Sequence, residues 1–175
     1  MVDLRVRNLG VRLTSGIDFR GSYHRETDLG VFDAALSGTQ ILDFAQAQTP
    51  QQPLISLLNT ENSPLNLRLR LALRWAYVGF AAVVAGNFTN SYRDTASIPQ
   101  RNVGSWTTLD LQLSYPITPQ ATHSHLPTTT VELDAQNVFN ADPPFLNNQV
   151  AAIGYDQENA NPYGRILRLK IVAQW

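Results

Sequence analysis

The stretch "LNLRLRLALRW" constrains what this chain can fold into more than any other. Leu65, Leu67, Leu69, Leu71, Leu73 and Trp75 recur at every second position, with Asn66, Arg68, Arg70, Ala72 and Arg74 between them. Side chains alternate across a β-strand, whereas a helix would scatter both sets around its circumference. The segment is therefore expected to be a strand with one apolar and one strongly polar face. The same period recurs in "WTTLDLQLSY", "VELDAQ" and the final "RILRLKIVAQW", and near the start Ile17, Phe19 and Tyr23 oppose Asp18, Arg20, Ser22 and His24. "GVFDAALSGTQILDF" and "YVGFAAVVAGNF" are expected strands of less regular phase. The chain is thus expected to be all-β, with about seven strands of roughly ten residues or more, against ~5–6 in ordinary sheets.

The connections alternate in length. A short turn near "RETDLG" precedes the long "AQTPQQPLISLLNTENSP"; a tight turn near Ala76–Gly79 precedes the long "TNSYRDTASIPQRNVGS"; a medium turn, "PITPQATHSHLP", precedes a very long loop from Asn140 to Pro162. This is the pattern of an antiparallel up-and-down meander with short turns at one end and long loops at the other, as in outer-membrane barrels. Tilted strands cross a bilayer in ~9–11 residues, so strand length favours a membrane setting. An odd strand count does not suit a closed bacterial barrel, which has an even number of at least eight. The expected architecture is an open, curved segment of a large transmembrane β-barrel. It spans residues 1–175 as one unit, and Met1 is expected to be an internal or artificial start.

Composition closes other routes. The net charge of −1 gives no field that would draw in nucleic acid, and no cysteine is present for disulfides, thiolate metal sites or thiol catalysis. No run approaches the ~20 apolar residues of a membrane helix, and the first residues lack the build of a signal peptide. His123 and His125 stand two apart but without the third ligand a catalytic zinc requires. Glu132 and Asp134 share a strand face, a geometry that can serve acid–base chemistry but is commoner as a charged surface. With no G-x-S-x-G elbow and no phosphate-binding glycine loop, neither an enzyme nor a cofactor is expected. The charged residues of the polar faces, namely Asp18, Arg20, Arg68, Arg70, Arg74, Asp110, Glu132, Asp134, Arg168 and Lys170, are candidates to line a barrel lumen. Trp75, Tyr77, Tyr115 and Trp175 fall at strand ends that the alternation places together, as an interfacial aromatic girdle would.

Over residues 103–175, "VGSWTTLDLQLSY", "LDAQNVFNADPPFLNN" and "GYDQENANPYGRILRLKIVAQW" resemble the closing part of a TonB-dependent receptor. The residues that carry the resemblance are the Asn137–Asn140 break with Phe139, Pro143, Pro144 and Phe145, then Tyr155 and Asp156, Gly164 and Arg165, and a strand ending on Trp175. Residues 9–102 resemble the family's barrel strands more loosely, and Val138 and Asn140 stand where leucine and aspartate are commoner. The resemblance implies a bacterial outer-membrane transporter with a barrel of about 22 strands, closed by a plug domain and energised by periplasmic TonB. It would take up a siderophore, vitamin or oligosaccharide. The partners implied are outer-membrane lipid, the rest of the barrel with its plug, and the barrel-assembly machinery, for which Leu169, Ile171, Ala173 and Trp175 resemble the C-terminal signal. Neither plug nor TonB-contacting segment lies within this sequence, so the chain alone is not expected to be transport-competent.

Two other readings compete. A soluble antiparallel sandwich or carbohydrate-binding module would bury the leucine faces between two sheets. A small self-contained outer-membrane barrel could be assembled from several copies. What becomes of the apolar face discriminates between the sandwich and the membrane readings.

Overall fold

The computed structural model of the chain describes residues 10–117, 127–147 and 152–174. It is all-β: β1 (Val11–Thr27), β2 (Gly30–Ala47), β3 (Ile55–Ser56), β4 (Leu67–Tyr77), β5 (Phe80–Thr89), β6 (Tyr92–Asp94), β7 (Arg101–Val103), β8 (Trp106–Ile117), β9 (Thr128–Gln136) and β10 (Ile166–Gln174). Seven long strands form one antiparallel sheet in the order β1-β2-β4-β5-β8-β9-β10, with β3 adding two residues beside β2 and β6–β7 forming a separate hairpin. Each long strand pairs with its neighbours along the chain, so the sheet is an up-and-down meander. It does not close, and β1 and β10 are its edges.

Register gives the sheet two unlike faces. One row of partners runs Asp18, Thr39, Arg68 and Thr89; the next runs Arg20, Ser37, Arg70, Asn87 and Thr108. The intervening rows, such as Phe19, Gly38, Leu69 and Phe88, point to the opposite side. Because the side-chain period is two, a slip of one residue in any pair would mix the faces. No slip occurs between Gly16 and β10. The apolar face is bare: Ile17 is 55% exposed, Leu71 46%, Leu73 50% and Leu169 65%. Among the described residues no second sheet covers it, which is opposite to the arrangement a sandwich needs.

The irregular phase of two strands has local causes. In β2 the register with β1 passes from Asp43 to Ile41, leaving Leu42 without a partner as a bulge residue. In β5 the polar-face positions carry Ala81, Val83 and Ala85, so alternation is lost from the sequence although the strand keeps its register. Leu65, expected on the apolar face of β4, instead precedes the strand and is buried with Tyr92, Val103 and Leu146. The Asn66 amide N–H donates to the Asn59 side chain at 2.7 Å, which turns the chain away from the ladder there.

Gly38 shows how tightly the apolar face is set. A Cβ there would lie 2.5 Å from Phe19 Cζ and 2.6 Å from Leu69 Cδ2, so both neighbouring side chains close over the glycine. Gly38→Val is expected to cost about 0.5–1.5 kcal/mol, by forcing the ends of Phe19 and Leu69 off their preferred rotamers and crowding Arg68 O. Gly86→Ala, where nothing lies within 4 Å, should stay within about ±0.5 kcal/mol. Denaturant midpoints of the two variants in detergent would compare them, and equal midpoints would contradict the account.

Candidate functional site: the polar face and the loop end

All ten charged residues expected to line a lumen fall on one face of the sheet, and most are joined in pairs across strands. Lys170 Nζ donates to Glu132 Oε2 at 3.0 Å, and Arg168 lies 4.0 Å from Asp134. Arg74 Nη1 donates to Asp33 Oδ2 at 2.9 Å, while His24 Nδ1 lies 2.6 Å from Asp33 Oδ1. The Glu132–Asp134 pair is thus committed to two cations of β10. Arg70 donates to the Asn87 side chain and, at 3.3 Å, to Asp110 Oδ2 two strands away. It spans a row where β5 carries Ala85, which is only 2% exposed. Asp18 accepts from the Thr39 hydroxyl at 2.6 Å. Exposed pairs of this kind contribute little each, about 0–1 kcal/mol, so this face is poorly explained as a stabilising device.

Three hollows run along this face. The first, about 490 Å³, is lined by Asp18, Arg20, Ser37, Thr39, Arg68 and Arg70, with the backs of Phe19, Gly38 and Leu69 as its floor. A second, about 330 Å³, shares Thr39 and Arg68 with it and extends to the loops at Asn62, Ser63, Glu158 and Asn159. The third, about 150 Å³, shares Arg70 and continues past Asp110 and Asp134 to Arg168. Arg68 and Arg70 therefore stand at the two junctions of a polar trench that begins beneath the loops.

The three long connections lie at one end of the sheet and lock together. Arg93 N donates to Asn59 O at 2.9 Å and Glu61 N to Arg93 O at 3.1 Å, joining the β2–β4 and β5–β8 connections. The β9–β10 connection enters through Asp156, which is 0% exposed. Its carboxylate accepts from Asn62 N at 3.0 Å, Glu158 N at 2.9 Å and Asn159 Nδ2 at 2.8 Å. Burial and the hydrogen bond and charge of Asp156 push the Tyr92 hydroxyl well above the ordinary tyrosine pKa, so Tyr92 is a neutral donor to that carboxylate. Asn159 Nδ2 also donates to Ser63 O at 2.9 Å, while its side-chain oxygen accepts from Arg68. Asp94, 1% exposed, holds Ser97 by its N–H and hydroxyl at 3.0 and 2.6 Å.

The motif residues have distinct local jobs. Asn137 ends β9 in a left-handed conformation (φ 49°), with its N–H donating to Asp110 Oδ1 at 3.0 Å and its side chain bridging both ways to Ala141. Asn140 is also left-handed, and its Oδ1 accepts from Arg165 N at 2.8 Å. A Cβ on Gly164 would meet that oxygen, so a larger residue there would push the Asn140 side chain off Arg165 N. Phe139 and Phe145 are largely exposed, and Pro143 and Pro144 are half-buried. Tyr155 is half-buried beside Asp156 in sequence. Leu169, Ile171 and Ala173 keep the apolar phase of the edge strand β10, while Trp175, His123 and His125 lie outside the described residues. Trp75 stacks on Tyr77 at 6.4 Å and meets Phe80 edge-on at 5.8 Å at the turn end, where Tyr115 also lies.

Sequence reasoning did not find the loop-end cluster of Leu65, Tyr92, Asp94, Val103, Leu146 and Asn159. Its members lie in aperiodic segments, and the contacts between them are long-range. No protein-family model matches the chain, and no curated protein or solved structure matches it either.

Proposed function

We propose that this chain is part of the wall of a bacterial outer-membrane barrel of the TonB-dependent receptor kind. It would contribute to energy-coupled uptake of a scarce solute rather than to catalysis. One observation carries the reading: a continuous, uncovered apolar face backs a charged face, with every long connection at one end. Such a sheet satisfies a bilayer on one side and an aqueous passage on the other. Its open edges leave backbone groups unpaired, which hydrocarbon does not tolerate, so the rest of a barrel must continue from β1 and β10. The trench beneath the locked loops supplies the polar wall along which a solute would pass, and the aromatics at the turn end suit the periplasmic interface. The locked connections would then face the outside. In this arrangement the last strand would be read by the barrel-assembly machinery, and a plug and TonB would act from elsewhere in the receptor.

Dilution of the unfolded chain into lipid vesicles tests this. Insertion is expected, with blue-shifted tryptophan emission quenched by lipids brominated in their acyl chains. In lipid-free buffer the chain should aggregate. A soluble monomer that melts sharply without lipid or detergent would sink the proposal and favour the sandwich.

A further inference from the structure

We propose that the 490 Å³ hollow across β1, β2 and β4 is a subsite for a multiply charged anionic group on the solute, a polycarboxylate or a phosphate. The inference rests on the uptake reading above and adds the chemical class of the solute.

Elsewhere on the polar face Arg74 has Asp33, Arg168 has Asp134 and Lys170 has Glu132, while Arg12 donates to the Gln46 side chain and lies over Phe44. The hollow departs from that balance. Its lining holds three arginines; Arg70 is paired with Asp110 just outside the hollow, which leaves Arg20 and Arg68 against one carboxylate, Asp18. Arg68 spends its donors on the neutral oxygens of Glu158 O and Asn159 Oδ1. Arg20 makes no ion pair or side-chain hydrogen bond among the described residues. Arg20 and Arg70 share one row of partners across Ser37, while Asp18 and Arg68 share the next across Thr39. With strands about 4.8 Å apart, the Cα atoms of Arg20 and Arg70 stand roughly 10 Å apart, and their side chains can converge on a ligand held over β2. Ser37 adds a hydroxyl between them. Planar guanidinium forks match carboxylate and phosphate oxygens two at a time, and a hydroxyl-rich neutral sugar has no use for the excess charge. The hollow also opens toward the loop end through Arg68 and Thr39, the route by which a solute would arrive.

Calorimetric titration of the full chain in uncharged detergent micelles, at low ionic strength, tests the site with citrate, inorganic phosphate and maltotriose as separate probes. Citrate or phosphate should bind and maltotriose should not; whichever anion binds more tightly separates a carboxylate-bearing from a phosphate-bearing solute. Arg20→Gln should weaken anion binding about tenfold or more, whereas Arg25→Gln, which removes the same charge from the opposite phase of β1, should leave it unchanged. Arg20→Lys should fall between wild type and Arg20→Gln. Equal loss in both glutamine variants, or no anion binding at all, overturns the proposal. Because micelles suffice, a chain that binds citrate at Arg20 yet fails to enter vesicles refutes the membrane reading alone.

Discussion

Replacing Asp156 by alanine should release the loop end while leaving the seven-stranded sheet in register. The carboxylate is wholly buried and satisfies donors from two different long connections, together with the Tyr92 hydroxyl of a third. Alanine removes the Asp156 carboxylate bonds of Asn62 N, Glu158 N and Asn159 Nδ2, the last keeping Ser63 O, and a buried donor left unsatisfied costs about 1–3 kcal/mol. The connections relieve that cost by separating, because little apolar area beyond Leu65, Tyr92, Val103 and Leu146 holds them. A local loss of about 3 kcal/mol corresponds to roughly two decades in opening equilibrium. Limited proteolysis between β2 and β4 and between β9 and β10 should accelerate by that order, with amide exchange in β4 and β5 unchanged. Asn159 then keeps only Ser63 O as a side-chain acceptor, so its hold on Arg68 loosens and the trench changes shape at its mouth. Asp156→Asn, which keeps the shape, should show a smaller effect. Undiminished protection in the alanine variant would remove Asp156 from its place as the lock.

Leu71→Arg is expected to have the second large effect, and only where lipid is present. Leu71 lies mid-strand on the bare face, with Leu36 and Gly86 as its partners on either side. Arginine at the middle of a lipid-facing strand costs about 2–4 kcal/mol, falling to about 0–1 near the interface. Vesicle insertion should therefore drop steeply for Leu71→Arg, mildly for Tyr77→Arg at the turn end, and hardly for Gln112→Arg on the polar face. A soluble sheet would behave differently: a new charge at a position already 46% exposed would barely alter stability. The gradient with depth separates the two environments more sharply than the presence of binding does. A flat response across the three variants would count against a bilayer on this face.

Which parts of the molecule could be read from the sequence follows from where the relevant contacts lie. β4, β8, β9 and β10 were legible because each carries its own alternation, and that alternation alone decides which face each residue joins. β5 blurs for a reason visible only in three dimensions. Arg70 reaches over Ala85 to Asp110, so a polar-face position is filled by a neighbour's side chain and needs none of its own. The phase break in β2 reflects the bulge at Leu42, which no composition rule marks. The charged candidates were found by phase, but their inequality was not. Arg20 and Arg74 look alike in sequence, and only the structure reveals that Arg74 has a carboxylate partner and Arg20 none among the described residues. The loop-end lock was invisible because Asn62 and Asp156 meet across 94 positions of aperiodic chain. Asp156 entered the sequence reading through resemblance alone, with no indication that it would be buried.

In the proposed barrel the unequal edges would set a requirement on whatever completes the wall. β1 has 17 residues and β10 has 9, or roughly 56 and 30 Å of extended chain at about 3.3 Å per residue. In the proposed membrane setting about 30 Å of hydrocarbon has to be crossed, so the β1–β2 pair would stand proud of the bilayer at the loop end while β10 would not. In the proposed barrel a neighbour on the β1 side would have to be comparably tall to pair its backbone, whereas one beside β10 could be short. The rim of the proposed barrel would then be slanted. It would form a high parapet on one side and a low sill on the other, with the interlocked connections spanning the slope between them.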